Sequence, residues 1–413
     1  MNEDADDQVT ELDLRSGHPI WERDALPFAT PPLPPIGRLR TDVVIVGAGV
    51  TGAFAAERFT REGREVVILD RHLPRTASTA ASTALLQWEI DAPMLELEAR
   101  LGFEAAASIY RRSVGAVRAI AHLAADLGGT CDFAWRPSLF LAGDVLDPSD
   151  LREELRLRMR AGIEGEFLSA GELQSRFGFE REGALLHAGS AAAHPMNLTR
   201  MLLGAALRRG ATLLSPALVT DYDCTSQGVS VRTEDGRQID GEILVMANGY
   251  ELPPFVPAKV HKITSTWAMA TTPQAPAALW PEHALVWEAS EPYVYMRVTA
   301  QGRIVFGGED EDLRDAERRD ALLDAKVRTL QGKLSELVPA ADATVDAAWT
   351  GFFSETSDGL PLIGAVPGMP RCFAAFGYGG NGITFSAIAA DMIARLAAGQ
   401  PDPAQDWFAV DRD

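Results

Sequence analysis

The sequence predicts an α/β fold in two domains, one built on a parallel sheet and a second α+β domain built on a mainly antiparallel sheet. The chain has 413 residues, more than the roughly 250–300 residues at which single hydrophobic cores stop growing. Residues 41–70 have the pattern strand, glycine turn, helix, strand, which is that of a parallel βαβ unit. Residues 260–306 contain several consecutive strand patterns, which favours an antiparallel sheet.

The composition is that of a soluble globular enzyme, with 46% hydrophobic and 23% charged residues. The formal net charge of −20 opposes binding to nucleic acid and anionic lipid, because both depend on Lys and Arg side chains that neutralise phosphates. The sequence contains no run of about 18 apolar residues, so it predicts no membrane helix. We therefore expect a small-molecule substrate, and neither a nucleic-acid nor a membrane partner.

The positions of the cysteines and histidines indicate the redox state of the compartment and whether a metal site is expected. Cys131, Cys224 and Cys372 are far apart in sequence and form no CxxC pair, which fits a reducing compartment. The seven histidines show no metal-ligand spacing, so no metal site is expected. The first residues are acidic and lack the basic and apolar regions of a secretory signal. The expected location is the cytoplasm.

The first strong element follows a proline-rich arm at residues 26–36. Residues 41–46 form a continuous β-branched run, typical of a buried parallel strand. A helix is predicted over 53–61, and a second strand over 65–69 ends at Asp70. The parallel-sheet domain is therefore predicted to be Rossmann-like.

The glycine turn between strand and helix carries a dinucleotide-binding pattern. Gly47, Gly49 and Gly52 allow, respectively, a tight turn, close approach of the backbone to a pyrophosphate, and close packing of helix on strand. Val50 and Thr51 begin the helix, whose N-terminus favours an anion. Asp70 lies where a carboxylate accepts hydrogen bonds from ribose hydroxyls, and its charge disfavours a 2′-phosphate. This pattern alone leaves FAD and NAD open.

The middle of the chain alternates between helical and strand patterns. Helices are predicted within 95–127 and 149–177, and strands over 211–219, 228–233 and 241–246.

The later part begins with a predicted hairpin that joins residues 293–298 to 303–306. A helix is predicted over 316–338. A glycine-rich turn at 377–382 opens a last helix that runs to about residue 398.

Three segments resemble one known family. Residues 243–249 read ILVMANG, residues 358–364 read DGLPLIG, and residues 376–384 read FGYGGNGIT. This combination resembles the D-amino-acid oxidase and glycine oxidase superfamily of FAD-dependent oxidoreductases, and is most similar to its gamma-glutamylputrescine oxidase-like members. The resemblance spans most of the chain.

The resemblance implies a glutathione-reductase-like FAD-binding domain and a set of domain boundaries. Residues 1–35 are expected to form an N-terminal arm. Residues 36–110, 190–257 and 345–413 are expected to form the FAD-binding domain, and residues 111–189 and 258–344 the substrate-binding domain. FAD is expected to be non-covalent, because residues 351–355 contain no cysteine where sarcosine-oxidase relatives attach the flavin.

The resemblance also implies further cofactor contacts. Residues of the 71–83 region are expected around the pyrophosphate and inner flavin face, Val219 at the adenine, and the last glycine turn at the pyrimidine edge, where a helix N-terminus stabilises negative charge. The expected residues are Arg71, Ser78, Thr79, Ser82, Thr83, Val219, Ala247, Asn248, Gly249, Gly379, Gly380, Asn381, Gly382 and Ile383.

For the substrate pocket, the resemblance indicates aromatic residues and one arginine. They are Trp267, Tyr293, Tyr295, Arg297, Phe352, Phe353 and Tyr378. Tyr295 aligns with a substrate-facing tyrosine of the glycine oxidase group. Arg297 is either a binder of a substrate carboxylate or one member of a surface ion pair. The aromatic residues have core packing as their alternative.

The expected reaction is oxidation of the C–N bond of a small amine or amino-acid-like substrate. Hydride passes to flavin N5, the imine hydrolyses, and oxygen or another acceptor reoxidises the flavin. No catalytic acid or base is assigned. The alternatives are an amino-acid dehydrogenase and a flavin subunit that passes electrons to a partner, whereas a nicotinamide-dependent dehydrogenase leaves the last glycine turn without a role. The substrate, the electron acceptor and the oligomeric state stay open.

Overall fold

The computed structural model describes residues 13–72, 76–251, 253 and 261–412. The beginning of the expected arm and the expected boundary at 257/258 lie outside these residues. The strands in chain order are β1 (Arg15–Gly17), β2 (Arg38–Arg40), β3 (Val43–Val46), β4 (Val66–Leu69), β5 (Leu85–Leu86), β6 (Ala134–Leu141), β7 (Gly165–Ser169), β8 (Gly183–Ala192), β9 (Thr212–Leu214), β10 (Val219–Thr225), β11 (Gly228–Thr233), β12 (Gln238–Gly241), β13 (Ile243–Met246), β14 (His261–Thr271), β15 (Leu285–Glu288), β16 (Val294–Val298), β17 (Ile304–Glu311), β18 (Val345–Thr356), β19 (Leu362–Ala365) and β20 (Cys372–Phe376).

Helices connect and cover these strands. In chain order they are α1 (Trp21–Asp24), α2 (Val50–Arg61), α3 (Ser78–Ala81), α4 (Met94–Leu101), α5 (Phe103–Asp126), α6 (Pro148–Arg160), α7 (Ala170–Phe177), α8 (Pro195–Arg208), α9 (Ala316–Ala321), α10 (Leu323–Leu337), α11 (Gly382–Ala397) and α12 (Gln405–Phe408). Short 3₁₀ turns occupy Pro276–Ala278, Pro281–His283 and Gly379–Asn381. Among the described residues, no helix has the length and apolar character needed to cross a bilayer.

The first sheet is the parallel sheet that the sequence predicts. Its strand order is β19-β20-β13-β3-β4-β9, and all neighbouring pairs are parallel except β19 with β20. Strand β3 lies inside the sheet between β13 and β4, which is why its β-branched run is buried on both faces. The predicted βαβ unit is confirmed as β3, α2 and β4.

Alternate residues of β3 face different layers. Val43 and Ile45 pack toward the helices in the core that includes Phe54 of α2 and Met392 of α11. Val44 packs on the other face, in the core it shares with a four-stranded sheet of order β10-β11-β12-β2. The parallel sheet is therefore the middle layer of three.

The second large sheet is mainly antiparallel, as expected. Its order is β1-β18-β14-β17-β16-β15-β6-β8-β5, with β7 also paired to β8. The parallel exception is β15 with β6. Strands β16 and β17 form the predicted hairpin, in register Val298↔Ile304, with Gly302 at φ +74° in the turn. Helix α10 packs on this sheet.

Strand pairing places β18 in the antiparallel sheet, along the whole of β14. The expected boundary at residue 345 assigns this strand to the FAD-binding domain, because a boundary drawn from motifs does not register long-range pairing. The domain boundaries stay a prediction.

Two secondary-structure predictions need correction. The helical pattern over 149–177 is interrupted by β7, because α6 ends near Gly162, a glycine at φ +80°, and β7 then pairs with β8. The strand predicted over 211–219 ends at Leu214, since Pro216 has no N–H for a sheet hydrogen bond. Each pattern is locally correct and is overridden by a backbone constraint within it.

A buried ion pair in α6 provides a test of the packing. Glu154 accepts hydrogen bonds from Arg158 Nε at 2.8 Å and from the backbone N–H groups of Met94 and Leu95, and both charged side chains are fully buried. We predict that Glu154→Gln lowers the free energy of unfolding by about 3 kcal/mol, because it removes the closer of the two buried carboxylates that pair with Arg158 and leaves the longer contact with Glu89, at 3.7 Å. The melting temperature of the FAD-loaded protein measures this.

The neighbouring residue supplies the control for this change. Glu153 also pairs with an arginine of α6, Arg156, but both side chains are exposed. Glu153→Gln should leave the melting temperature unchanged, since exposed pairs contribute little. Equal melting temperatures for the two variants would contradict the burial argument.

Candidate functional site

One long cavity opens at the carboxyl ends of β3, β4 and β13 and extends to the antiparallel sheet. Ligands of open α/β sheets bind at this edge of a parallel sheet. Its wall includes all the expected cofactor residues except Gly52, together with Tyr293, Tyr295, Phe352, Phe353 and Tyr378. We call the end near residues 47–51 the nucleotide part and the end near Tyr293 and Tyr295 the aromatic part.

The glycine turn is packed so tightly that side chains are excluded. A Cβ on Gly47, which has φ +107°, would lie 2.2 Å from the carbonyl oxygen of Ala247. A Cβ on Gly52 would lie 1.8 Å from the carbonyl oxygen of Gly47, which is why Gly52 supports the turn without lining the cavity. Helix α2 then begins at Val50, whose N–H donates to Thr79 Oγ1 at 3.1 Å.

Asp70 anchors the turn to β4. Its Oδ2 accepts from the N–H of Ala48 at 2.7 Å, and its Oδ1 accepts from the N–H of His72 at 2.8 Å. Burial raises the pKa of Asp70, and these two N–H donors partly offset that rise. Asp70 therefore has a structural role in shaping the turn in addition to the ribose contact predicted for it.

The residues after β4 lie along the nucleotide part. Arg71 forms an ion pair with Glu251, and both side chains line the cavity. Val219 lies on the same wall beside Ala217 and Leu218.

The small-residue segment 77–83 covers the cavity as α3 and the turn after it. Two tryptophans bind its backbone: Trp349 Nε1 donates to the Ala81 carbonyl at 2.8 Å, and Trp21 Nε1 donates to the Ser82 carbonyl at 2.7 Å. Thr83 follows on the same wall. The chain around α3 is therefore positioned by the antiparallel sheet and the N-terminal arm.

The last glycine turn contacts residues 87–91, a segment that the sequence did not indicate. Asn381 donates from Nδ2 to the Glu89 carbonyl at 2.8 Å and accepts at Oδ1 from the Asp91 N–H at 3.2 Å. The N–H of Gly380 donates to Asp91 Oδ2 at 2.7 Å. A carboxylate therefore already accepts from the Gly380 N–H, and the contact between the last glycine turn and the pyrimidine edge of the flavin stays a prediction.

The aromatic part is walled by strands of the antiparallel sheet. Tyr293 and Tyr295 have ring centroids 6.0 Å apart, and burial raises the pKa of both hydroxyls, so both stay protonated at neutral pH. Gly307 makes room for Tyr295, because a Cβ there would lie 2.5 Å from its hydroxyl oxygen. Tyr250 and Trp287 also line this wall.

Two residues expected in the pocket lie outside the cavity wall. Trp267 is buried in the core beneath the sheet, where its Nε1 donates to the Arg319 carbonyl at 3.2 Å. Arg297 is 3% exposed and donates from Nη1 to the carbonyls of Ala84 and Ala193 at 2.6 and 2.8 Å. Strand alternation correctly places Arg297 on the same face of the sheet as Tyr295. It does not show that the cavity ends between Tyr295 and Arg297.

The sequence missed several cavity residues. Gln87, Glu89 and Asp91 line the wall although nothing local marks them except polar residues within the apolar run LLQWEID. Tyr250 and Glu251 follow the predicted turn at 247–249 directly. In the described part of the chain, no group of three or more His, Cys, Asp or Glu side chains is arranged to hold a metal ion.

Comparisons with known proteins agree with this geometry. The family model described as DAO, FAD dependent oxidoreductase, matches residues 42–396. Gamma-glutamylputrescine oxidoreductase of Escherichia coli is 25% identical over 370 residues, which cover 87% of this chain and 84% of that protein. Glycine oxidase of Geobacillus kaustophilus is 25% identical over 371 residues, covering 86% and 93%.

Solved structures show the same fold. The crystal structure of glycine oxidase from Geobacillus kaustophilus superposes with a TM-score of 0.75 at 20% identity, covering 91% of this chain and 99% of that chain. Iminodiacetate oxidase from Chelativorans superposes with a TM-score of 0.69 at 21% identity, covering 89% and 98%.

The cavity residues fit FAD. Ser78 Oγ, Gln87 Nε2 and Asn248 Oδ1 are buried on the cavity wall and have no hydrogen-bond partner among the described residues. Buried polar groups normally have such partners, so these atoms indicate a polar ligand. The side-chain-free turn at Gly47 and the N-terminus of α2 suit a pyrophosphate.

We predict that Asp70→Asn weakens FAD binding by roughly 10- to 100-fold, the equivalent of one charged hydrogen bond. The amide places an N–H₂ against either the Ala48 or the His72 N–H, so the turn loses an acceptor as well as the negative charge. Titration of FAD into the flavin-free protein, followed by protein fluorescence, gives the dissociation constant.

Asp42→Asn is the matched control. Asp42 accepts the Glu65 N–H at 2.8 Å through Oδ2, which is also a carboxylate-to-backbone contact between β3 and β4 but lies at the opposite end of the strands. The Asp42→Asn variant should bind FAD with the same affinity as the unchanged protein. Equal FAD affinity for both variants would mean that Asp70 serves neither the turn nor the cofactor.

We also predict that FAD is released by denaturation. Residues 351–355 contain no cysteine, and Cys372 is buried in the core behind the parallel sheet. Acid precipitation should leave the yellow colour in the supernatant. A yellow pellet that resists washing would contradict non-covalent binding.

Proposed function

Because the chain belongs to the DAO family of FAD-dependent oxidoreductases, whose model matches residues 42–396, we propose that it oxidises a C–N bond of a small amine. The observation that carries the substrate class is the charge of the cavity wall. Among the described lining residues, the basic ones are Arg71 and His72, and both lie beside Asp70 in the nucleotide part. The aromatic part presents tyrosines and carboxylates instead.

We assign the nucleotide part to FAD. The residues we propose for it are Gly47, Gly49, Val50, Thr51, Gly52, Asp70, Arg71, Ser78, Thr79, Ser82, Thr83, Val219, Ala247, Asn248, Gly249, Gly379, Gly380, Asn381, Gly382 and Ile383. Gly52 acts through the turn, whereas Gly380 lines the cavity itself. Bound FAD supplies a two-electron acceptor for the C–N bond, and the imine product then hydrolyses to a carbonyl compound.

The protein residues of the aromatic part bind and orient the amine. The tyrosine and phenylalanine side chains of β16 and β18 exclude water from the reacting carbon, and orientation is the main requirement of this chemistry. The Tyr295 hydroxyl keeps its proton at neutral pH because burial raises its pKa, so it donates a hydrogen bond to the substrate. Tyr295 is our first candidate for substrate contact.

The same wall disfavours α-amino acids. Phe353 lines the cavity, and the family resemblance implies that glycine oxidase-like relatives have at this position an arginine that binds the substrate carboxylate. Arg297, the other candidate for that role, does not line the cavity and donates to the carbonyls of Ala84 and Ala193. A carboxylate in the aromatic part would therefore lose its water without gaining a cation from the described residues, at a cost of several kcal/mol.

The relatives by themselves leave this choice open. One is named for an amine conjugate, gamma-glutamylputrescine, and another for an amino acid, glycine. The cavity wall supports the amine.

We predict that primary or secondary amines give a higher kcat/KM than glycine or D-alanine. An anaerobic screen of both classes against the FAD-loaded protein identifies substrates by bleaching of the oxidised flavin absorbance. Readmission of air then shows whether oxygen is the electron acceptor, because the colour returns.

Arg297→Met is the control that separates the two substrate classes. If Arg297 serves only the fold, this variant keeps the order of preference between amines and amino acids, even with lowered stability. A plain α-amino acid that exceeds every amine, with activity abolished in Arg297→Met, would contradict the proposal.

A further inference from the structure

A carboxylate with a free oxygen faces the cavity at Asp91. Its Oδ2 accepts from the Gly380 N–H at 2.7 Å, and its backbone N–H donates to Asn381 Oδ1 at 3.2 Å. Its Oδ1 receives no hydrogen bond from the described residues, although the side chain lines the cavity and is exposed to it. Asp91 is therefore fixed in place on one side and open to a ligand on the other.

The surroundings of Asp91 favour a cation. Tyr250 and Tyr293 line the same wall, and the electron-rich faces of aromatic rings attract ammonium groups. Asp310 and Glu355 lie close enough for their charges to act on Asp91. Of the other carboxylates on the cavity wall, Glu89 pairs with Arg158, Glu251 pairs with Arg71, and both oxygens of Asp70 accept backbone N–H groups. Asp91 Oδ1 has no such partner in the described part of the chain.

Asp91 is ionised at neutral pH. Desolvation inside the cavity and the neighbouring carboxylates raise its pKa to about 6, and the Gly380 N–H opposes that rise. A cation bound at Oδ1 stabilises the charged form further. The carboxylate is thus ready to pair with an ammonium group under ordinary conditions.

The chemistry of the reaction decides which nitrogen Asp91 can bind. The nitrogen of the oxidised C–N bond must supply its lone pair to the new imine, and therefore must be unprotonated. A carboxylate in contact with an amine favours its protonated form. A nitrogen bound at Asp91 is consequently not the reacting one.

We propose that Asp91 determines specificity by binding a second, protonated nitrogen of the substrate, so that the preferred amines carry one cationic group besides the nitrogen that is oxidised. This inference rests on the proposed amine oxidation and names its substrate class, that of diamines and longer polyamines. The reacting nitrogen lies toward Tyr295, and the cationic nitrogen lies at Asp91, with the aromatic wall between the two nitrogens.

A binding experiment tests the charge contact without turnover. Butylguanidinium is a permanent cation and butylurea is its neutral counterpart of similar shape. Calorimetry with the FAD-loaded protein should show butylguanidinium binding roughly 10- to 100-fold tighter than butylurea, as expected for a charged hydrogen bond. Asp91→Asn should bring the two dissociation constants to within about threefold of each other, because the amide keeps an acceptor for Gly380 but loses the charge.

Glu355→Gln is the matched control. It removes a nearby negative charge without changing the cavity wall. It therefore tests whether the combined negative charge of the nearby acidic groups, and not direct contact with Asp91, attracts the cation. The preference for butylguanidinium should change less than about threefold in this variant. An equal loss in Glu355→Gln and Asp91→Asn would overturn the contact at Asp91, and so would a weakened affinity for FAD in Asp91→Asn.

Kinetics then distinguish this inference from the proposed function. Putrescine and butylamine differ by the second nitrogen, and Asp91→Asn should lower kcat/KM for putrescine by roughly 10- to 100-fold while that for butylamine changes little. Equal losses for both amines would overturn the specificity role. If neither amine reduces the flavin of the unchanged protein, the proposed amine oxidation fails, whereas the calorimetric result still decides whether Asp91 binds a cation.

Discussion

The contact between the glycine turn and the ends of β4 and β13 is the constraint on which the cavity depends. Gly47 lies against the Ala247 carbonyl because it has no side chain, and Asp70 binds the Ala48 N–H that follows it. The two neighbours of β3 thereby determine where the turn lies and where α2 begins. The N-terminus of α2 faces the cavity for this reason, and the rest of the nucleotide part is arranged around it.

A second set of hydrogen bonds positions the segment of residues 87–91 on the cavity wall. Asn381 and Thr384, at the start of α11, hydrogen-bond the backbone of residues 87–91. Helix α11 also packs on α2, so the segment that carries Asp91 is positioned from the same helix layer as the glycine turn. Asp91 also packs closely on Gly380, where a Cβ would be 3.0 Å from Asp91 Oδ1.

The antiparallel sheet contributes selectivity through the choice of residues on one face. Tyr295 reaches the cavity because Gly307 on the neighbouring strand leaves space for its ring. Arg297 on the same face is taken up by carbonyl groups of residues 84 and 193, so its charge serves the packing. The wall is therefore selective for amines because Tyr295 of β16 lines the cavity and the charged Arg297 of the same strand does not.

The sequence by itself determined the βαβ unit, the hairpin of β16 and β17 and the glycine positions, because these follow from local burial patterns and backbone sterics. It also indicated most of the cavity wall through family motifs. Only the tertiary structure decided that Trp267 and Arg297 lie outside that wall and that β7 interrupts a helical pattern. It alone revealed Asp91, since its role depends on a contact with Gly380, 289 residues away. Such contacts depend on how whole layers pack, and no local pattern of residues records that.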